Sequence, residues 1–156
     1  RRYFAQGTFE YDEFKDWTRR LSFASGLSQV LLERAGTLDP PGEDEPLLEV
    51  TSRIGAGLHR EYGSLETSII PEGLMGLEVA WKITPLQSLD AGIRGYPDLG
   101  DLGEYRTAAY CNWTIRLDSM AGLHLKLGAT HEYESQTDLG TDGHDLRAYL
   151  NLLLEL

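Results

Sequence analysis

The stretch from Trp81 to Gly92, Trp-Lys-Ile-Thr-Pro-Leu-Gln-Ser-Leu-Asp-Ala-Gly, decides the fold. It is typical of a β-hairpin, because a strand-like arm ends in a tight turn at Thr84 and Pro85 and a second strand-like arm follows. The same design returns from Trp113 to Leu123, where Trp-Thr-Ile is again followed by a short turn and Ala-Gly-Leu. Two hairpins of one design predict a meander of antiparallel strands.

Alternating side chains extend this pattern along the whole chain. In the cleanest segment, apolar Leu123, Leu125 and Leu127 alternate with polar His124 and Lys126, and a period of two predicts a strand. No segment of helical length keeps the helical period. The sequence therefore predicts a single all-β domain over residues 1–156, an antiparallel up-and-down meander of about eight strands. The predicted strands are Tyr3–Tyr11, Trp17–Leu31, Leu48–Tyr62, Leu74–Ile83, Leu89–Tyr96, Tyr105–Leu117, Ala121–Thr130 and Leu146–Leu156.

The predicted connections are rich in glycine, proline and acidic residues. Residues 33–46 include the acidic run from Glu43 to Glu45, and residues 97–103 combine aspartate with glycine, so both are expected to form solvated loops. Residues 63–73 form another predicted connection, in which Pro71 favours a local excursion from the sheet. A loop from Ser135 to His144 is predicted before the last strand.

Composition and charge disfavour several classes of function. The formal net charge of −11 at pH 7 argues against nucleic acid, whose phosphates require a basic face. No apolar run is long enough for a transmembrane helix, whereas a barrel strand needs only about 9–11 alternating residues. The single cysteine, Cys111, permits no internal disulfide and is expected to pack as a small hydrophobe.

Two arrangements fit an alternating meander. A soluble barrel or sandwich buries its apolar face, whereas an outer-membrane barrel turns that face to lipid and encloses the polar one. Glycine recurs on the polar face, for example at Gly57 and Gly122, and this favours the membrane arrangement because a narrow lumen needs small residues. Aromatic residues toward strand ends favour it as well. They are Tyr11, Trp17, Tyr62, Trp81, Tyr105, Trp113 and Tyr133.

The chain also resembles a known bacterial family. The segments that carry the resemblance are Phe9–Phe14, Arg20–Gly26, Ile54–Leu58, Gly95–Leu99, Tyr105-Arg106 and Asp145-x-Arg147. They are similar to the family often labelled salt-induced outer-membrane protein, domain of unknown function 481. The resemblance implies an outer-membrane β-barrel of Gram-negative-type bacteria with no established activity. In that family, further strands precede the segment that begins here at Tyr3, and an aromatic residue usually stands at the position of Leu156.

The polar face holds the candidate functional residues. The polar lumen candidates are Arg20, Arg53, His59, Arg94, Arg106 and His124. The arginines are the ones expected to influence a solute, and the histidines are expected to form hydrogen bonds in the lumen. His59 and His124 each end a copy of Ala-Gly-Leu-His, but neither has a Cys, Asp or Glu at compact ligand spacing, so no metal site is predicted. No serine has a recognisable nucleophile setting, so neither catalytic residues nor cofactors are predicted.

The sequence thus predicts a non-enzymatic β-barrel of the bacterial outer membrane with a structural or narrow-passage role in the envelope. An eight-stranded barrel filled by side chains leaves little room for a pore, which favours the structural role. Outer-membrane lipid is the expected partner, nucleic acid is not, and association between copies of the chain stays open. The main alternative is a soluble periplasmic β-domain that binds a lipid or a protein. An outer-membrane lipid hydrolase comes third.

Overall fold

A computed structural model of the protein describes residues 1–11, 13, 18–36, 46–63, 69–101, 103–118, 122–135 and 143–154. Within these ranges the regular secondary structure consists of eight β-strands, each antiparallel to the next. They are β1 Arg2–Tyr11, β2 Arg19–Arg34, β3 Leu48–Tyr62, β4 Ile69–Thr84, β5 Gln87–Pro97, β6 Tyr105–Asp118, β7 Leu123–Glu134 and β8 His144–Leu154. The predicted all-β meander is therefore confirmed.

The predicted central hairpin forms the tightest connection of the sheet. β4 ends at Thr84 and β5 begins at Gln87, so only Pro85 and Leu86 turn the chain. The Leu86 N–H donates to Thr84 Oγ1 at 3.2 Å, which satisfies one backbone donor of the turn. The ladder between the two strands also shifts its register between Lys82 and Thr84, a bulge of the kind that increases local twist.

The second hairpin differs from its prediction at Gly122. Its φ of +62° lies in the left-handed region, which glycine adopts without the steric cost of a Cβ atom. Gly122 therefore belongs to the turn before β7, and its predicted place on the lumen face of a strand is wrong. Ala121, predicted to begin that strand, lies outside the described residues, as do Trp17 and Leu156.

β4 begins five residues earlier than the sequence predicts, so the predicted excursion around Pro71 is wrong. The Pro71 carbonyl accepts the Leu99 N–H at 2.9 Å, on the side of β4 that faces away from β3. The nitrogen of a strand residue points to the same side as its carbonyl. β5 has already ended at Pro97 there, so no ladder bond requires an N–H from Pro71.

The last strand also begins earlier than predicted. His144 was predicted to lie in the preceding loop, but it opens β8 and is the register partner of Tyr133 in β7. Its ring centroid lies 4.7 Å from that of Tyr133, and His144 Nδ1 lies 3.2 Å from Nε2 of His131. Contacts between these rings explain why a residue with low strand propensity continues the ladder.

All eight strands form one sheet in chain order, curled into a half-barrel. β1 and β8 are its two edges, and no ladder joins them within the described residues. The buried side chains lie on the concave side of this sheet. They are Arg20, Ala24, Ser28, His59, Glu72 and Leu74. The interior is therefore mainly polar and charged.

The convex side is apolar and exposed. Ile54 is 67% exposed and Leu150 is 63% exposed, and no large hydrophobic side chain of the described residues is fully buried. A soluble sandwich would enclose such side chains in a core. This sheet has the opposite sidedness, with apolar residues outward and charged residues inward.

The strand ends form two rims. At the upper rim, where odd-numbered strands end and even-numbered strands begin, the connections span 7, 6, 7 and 9 residues between the strand bounds. At the lower rim they span 13, 2 and 4 residues. Four convex-face tyrosines lie at the upper rim, and two convex-face tryptophans lie nearer the lower rim, where Tyr3 also lies. They are Tyr11, Tyr62, Tyr105 and Tyr133 above, and Trp81 and Trp113 below.

Candidate functional site

Seven ionisable side chains from six strands meet on the concave face near the upper rim, and we call them the upper cluster. They are Glu10, Arg20, His59, Glu61, Glu72, Arg106 and Glu134. Each lies within three residues of a strand end at that rim, and alternation along its strand turns it inward. Four carboxylates face two guanidinium groups, so the cluster carries a net negative charge when His59 is neutral.

Arg20 is the centre of the upper cluster. Only 4% of it is exposed. Its Nε donates to Glu61 Oε1 at 2.9 Å, and its Nη2 approaches the same oxygen. Its Nη1 donates to Glu134 Oε1 at 2.8 Å, across the concave side on β7. Glu10 Oε2 lies 3.8 Å from Nη1. One guanidinium group thus joins β1, β2, β3 and β7.

His59 and Arg106 both approach Glu72, which is 6% exposed. His59 Nδ1 lies 3.0 Å from Glu72 Oε1, within ion-pair distance, but the direction does not meet hydrogen-bond geometry and Nδ1 has no hydrogen-bond partner. Arg106 Nη2 lies 3.6 Å from the same oxygen, and its guanidinium carbon lies 4.3 Å above the centre of the Tyr96 ring. Stacking on an aromatic ring therefore orients Arg106.

The predicted strands leave out two members of the upper cluster, Glu134, beyond Thr130, and the buried Glu72. Glu72 lies in the segment that was predicted to be a connection because of Pro71. The available signal was the period of two. Glu72 alternates in step with Leu74, Gly76 and Glu78, so all four lie on the concave face of β4. Extending that alternation through the proline would have identified it.

A second group, the middle cluster, lies deeper on the concave face. Glu78 of β4 receives one arginine on each carboxylate oxygen: Arg53 Nη2 lies 2.7 Å from Oε2, and Arg94 Nη2 lies 2.6 Å from Oε1. The Arg53 guanidinium carbon also lies 5.4 Å from the centre of the Phe4 ring. Two guanidinium groups on one carboxylate give this cluster a net positive charge, opposite in sign to the upper cluster.

The structure brings some of the predicted lumen residues together and separates one. Arg20, His59 and Arg106 share the upper cluster, and Arg53 and Arg94 share the middle cluster. His124, the second residue of β7, lies on the same face at the lower rim. The two Ala-Gly-Leu-His copies therefore place their histidines at opposite ends of the sheet.

A close approach on the concave face explains one glycine of that face. Tyr149 of β8 donates its hydroxyl hydrogen to Asn112 Oδ1 of β6, and the contact passes over Gly128 of β7, the register partner of both residues. A Cβ atom on Gly128 would lie 2.6 Å from Asn112 Oδ1. Only glycine allows this side-chain contact to cross the intervening strand.

A row of three residues on adjacent strands has the composition of a hydrolase triad. Ser22 of β2 is the register partner of His59 of β3, and His59 Nδ1 faces the Glu72 carboxylate of β4. In the described structure the Ser22 hydroxyl makes no side-chain hydrogen bond. Among the described residues, no group of three or more His, Cys, Asp or Glu side chains is arranged to hold a metal ion.

Comparison with known proteins gives one match. The family model described as "Protein of unknown function, DUF481" matches residues 1–155. This confirms the family suggested by the sequence resemblance, while the label "salt-induced" stays a prediction. No curated protein and no solved structure matches the chain significantly. A helix of membrane-spanning length and hydropathy is absent from the described residues.

Proposed function

The chain belongs to the DUF481 family of proteins of unknown function, and on that premise we propose that it forms the wall of a non-enzymatic β-barrel in the bacterial outer membrane. Its convex face contacts lipid, and its concave face lines a polar interior.

The sidedness of the sheet carries this proposal. Apolar side chains such as Ile54 and Leu150 are mostly exposed on the convex face, whereas Arg20 and Glu72 are buried on the concave face. Exposing that much apolar surface to water has a free-energy cost of about 25 cal/mol per Å². In a lipid bilayer the same surface contacts hydrocarbon and this free-energy cost does not arise, while the inward charges are kept away from the lipid.

The positions of the aromatic residues support a membrane-spanning orientation. Tyr105 and Trp113 lie on the convex face of β6, eight residues apart, which corresponds to about 26 Å of strand before tilt. The apolar band of an outer-membrane barrel is about 25 Å tall and has an aromatic girdle at each interface. The longer upper-rim connections match the extracellular side of such barrels. The 13-residue connection at the lower rim is the exception.

A structural role fits the interior better than conduction does. Arg20 reaches across the concave side to Glu134, and the middle cluster fills the level below. Ion pairs that span the interior of a small barrel occupy the space that water and solutes would need. A narrow passage would require these pairs to separate, at a cost of several kcal/mol for charges removed from solvent.

The proposal is tested by the behaviour of the purified chain without detergent. We expect it to aggregate in buffer and to become monodisperse and β-rich by circular dichroism after transfer to detergent micelles. Size-exclusion chromatography with light scattering and circular dichroism measure both states. A monodisperse β-rich species in buffer alone would contradict the proposal and favour the alternative, a soluble periplasmic β-domain that binds a lipid or a protein.

A lipid hydrolase is a further candidate, because Ser22, His59 and Glu72 lie in one row. In such an enzyme the imidazole would take the serine proton while the carboxylate orients the ring. A fluorophosphonate probe on the detergent-folded chain tests this candidate. Labelling that disappears in Ser22→Ala and persists in Ser28→Ala would support it. An unlabelled wild-type chain would leave the non-enzymatic role.

A further inference from the structure

We propose that Arg19 and Arg60, on the convex face at the upper rim, form a docking site for the phosphate of an anionic membrane lipid headgroup. The inference rests on the proposed function, because it requires that the convex face meet a bilayer. It adds a specific ligand class and a specific place on that face.

The distribution of charge over the two faces is the first observation. Every carboxylate of the eight strands whose side chain the structure describes faces the concave side. On the convex face near the upper rim, the charged strand residues are Arg19 and Arg60, because their chain neighbours Arg20, His59 and Glu61 point inward. Neither arginine has a carboxylate within ion-pair distance among the described residues. This part of the convex face is therefore positively charged in a protein whose net charge is −11.

The register places the two arginines side by side. Arg19 of β2 is the partner of Tyr62, and Arg60 precedes Tyr62 by two residues on β3, so the two arginines are diagonal neighbours. Diagonal neighbours on one face of a sheet lie about 7–8 Å apart. Two guanidinium groups at that spacing can donate to different oxygens of one phosphate.

Tyrosines flank both arginines at the rim. Arg19 lies between its register partners Tyr11 and Tyr62. The Arg60 guanidinium carbon lies 5.0 Å from the centre of the Tyr62 ring, and Arg60 Nε is enclosed without a hydrogen-bond partner. Tyrosine rings mark the level of the headgroups, where arginine side chains also extend toward phosphate. The aromatic and basic residues thus place an anionic group at one level of the membrane.

Lipid phosphate is the occupant that these observations favour. The site opens onto an otherwise apolar face, so its ligand needs both an anionic group for the arginines and apolar chains for the surface below. Leu21 lies between β1 and β3 in the ladder, with Phe9 and Arg60 as register partners, and it supplies apolar surface beside the arginines. A free anion would gain nothing from this surface, and an acidic protein segment would have to displace lipid from it.

Electron paramagnetic resonance with spin-labelled lipids tests the site. The folded chain is reconstituted in phosphatidylcholine vesicles with spin-labelled phosphatidylglycerol or spin-labelled phosphatidylcholine. The size of the motionally restricted component measures lipid contact, and the ratio between the two labels measures headgroup selectivity. An anionic surface attracts each nearby basic residue by about 1 kcal/mol, or about fivefold for each arginine. Most lipids around the protein contact apolar surface and have no such preference, which lowers the average, so we expect about twofold selectivity for phosphatidylglycerol overall.

Two variants and one matched control decide the outcome. The double variant Arg19→Gln/Arg60→Gln is expected to lose the selectivity while keeping the restricted component, and the single variant Arg19→Gln to lose about half of it. Arg147→Gln removes one positive charge from the concave side of β8 and is expected to retain the selectivity. Unselective wild-type protein, or a double variant that stays selective, would overturn this inference alone. Absence of any restricted component would overturn the proposed function as well.

Discussion

Arg20 on β2 and Glu134 on β7 are 114 positions apart in the chain, yet Nη1 of Arg20 donates to Oε1 of Glu134 at 2.8 Å. The contact crosses the concave side of the sheet, because four strands separate β2 from β7 along the ladder. It exists only because the sheet curls. The same guanidinium group also binds Glu61, so one residue pairs with carboxylates from β3 and from β7.

Replacing the centre of the upper cluster should destabilise the protein strongly. In Arg20→Gln, Glu61 and Glu134 would remain on the concave side and would lose the Arg20 guanidinium group. Removing one partner of a buried ion pair typically costs about 3–5 kcal/mol. We expect about 3 kcal/mol because both carboxylates retain some solvent exposure. Urea unfolding in detergent micelles measures the change. Arg147→Gln, at a side chain that is 58% exposed, should change stability by less than about 0.5 kcal/mol. Equal effects of the two substitutions would contradict the role of Arg20.

Glycine on the concave face should tolerate no larger side chain. A Cβ atom at Gly57 would lie 2.8 Å from Ala24 Cα and 2.9 Å from Ala24 Cβ, where backbone cannot easily move. Gly57→Val is therefore expected to abolish folding into detergent. Gly7→Val is the control on the convex face, because the nearest atom there is the Ser22 carbonyl oxygen at 3.9 Å. Circular dichroism and size-exclusion chromatography report folding. A folded Gly57→Val protein would show that the concave side is less crowded than the contacts indicate.

A charge in the middle of the convex face should oppose membrane insertion. Ile54→Arg is expected to cost about 2–4 kcal/mol in vesicles, because the position lies at mid-height of the proposed apolar band. Tyr3→Arg, near the lower rim, should cost about 0–1 kcal/mol. Equilibrium unfolding in lipid vesicles measures both. If the sheet instead stood in water, the 67% exposed Ile54 would accept arginine without loss.

The two edges of the sheet should exchange their amide hydrogens fastest. β1 and β8 each pair on one side only, so the amides that face away from β2 or β7 lack ladder partners within the described residues. Strands β3 to β6 pair on both sides. Hydrogen–deuterium exchange of the detergent-folded chain should therefore show weaker protection in β1 and β8 than in β3 and β4. Equal protection across all strands would mean that the edges pair with each other or with another copy.

The family match identifies the protein family of this chain but says nothing about its chemistry. Its description names no activity, so the function must be argued from the site. The evidence for a function comes from the sheet, which has apolar residues on its convex face, a charge network on its concave face and two arginines at one rim.

The sequence by itself determined the strands and their faces, because both follow from a local property. Successive side chains of an extended chain point to opposite sides, so a period of two identifies a strand and divides its residues between two faces. The stretch from Trp81 to Gly92 gave the hairpin, and β3 has the predicted bounds, Leu48–Tyr62. The inward positions of Arg20, Arg53 and Arg94 follow from the same period. Pro71 led the sequence prediction to leave Glu72 out of β4. A proline fits a strand only where no ladder bond needs an N–H from it, and at Pro71 this depends on where β5 ends.

Only the tertiary structure decided which of the inward charges meet. Alternation, once β7 is continued to Glu134, gives Arg20, Glu61 and Glu134 the same face, but their contact depends on register, bulges and the curvature of the whole sheet. These are set by pairing across more than a hundred residues, which no local pattern encodes. Register likewise brings Arg19 beside Arg60. The sequence determines which residues lie on each face, and the register and curl of the sheet determine which of those residues are in contact.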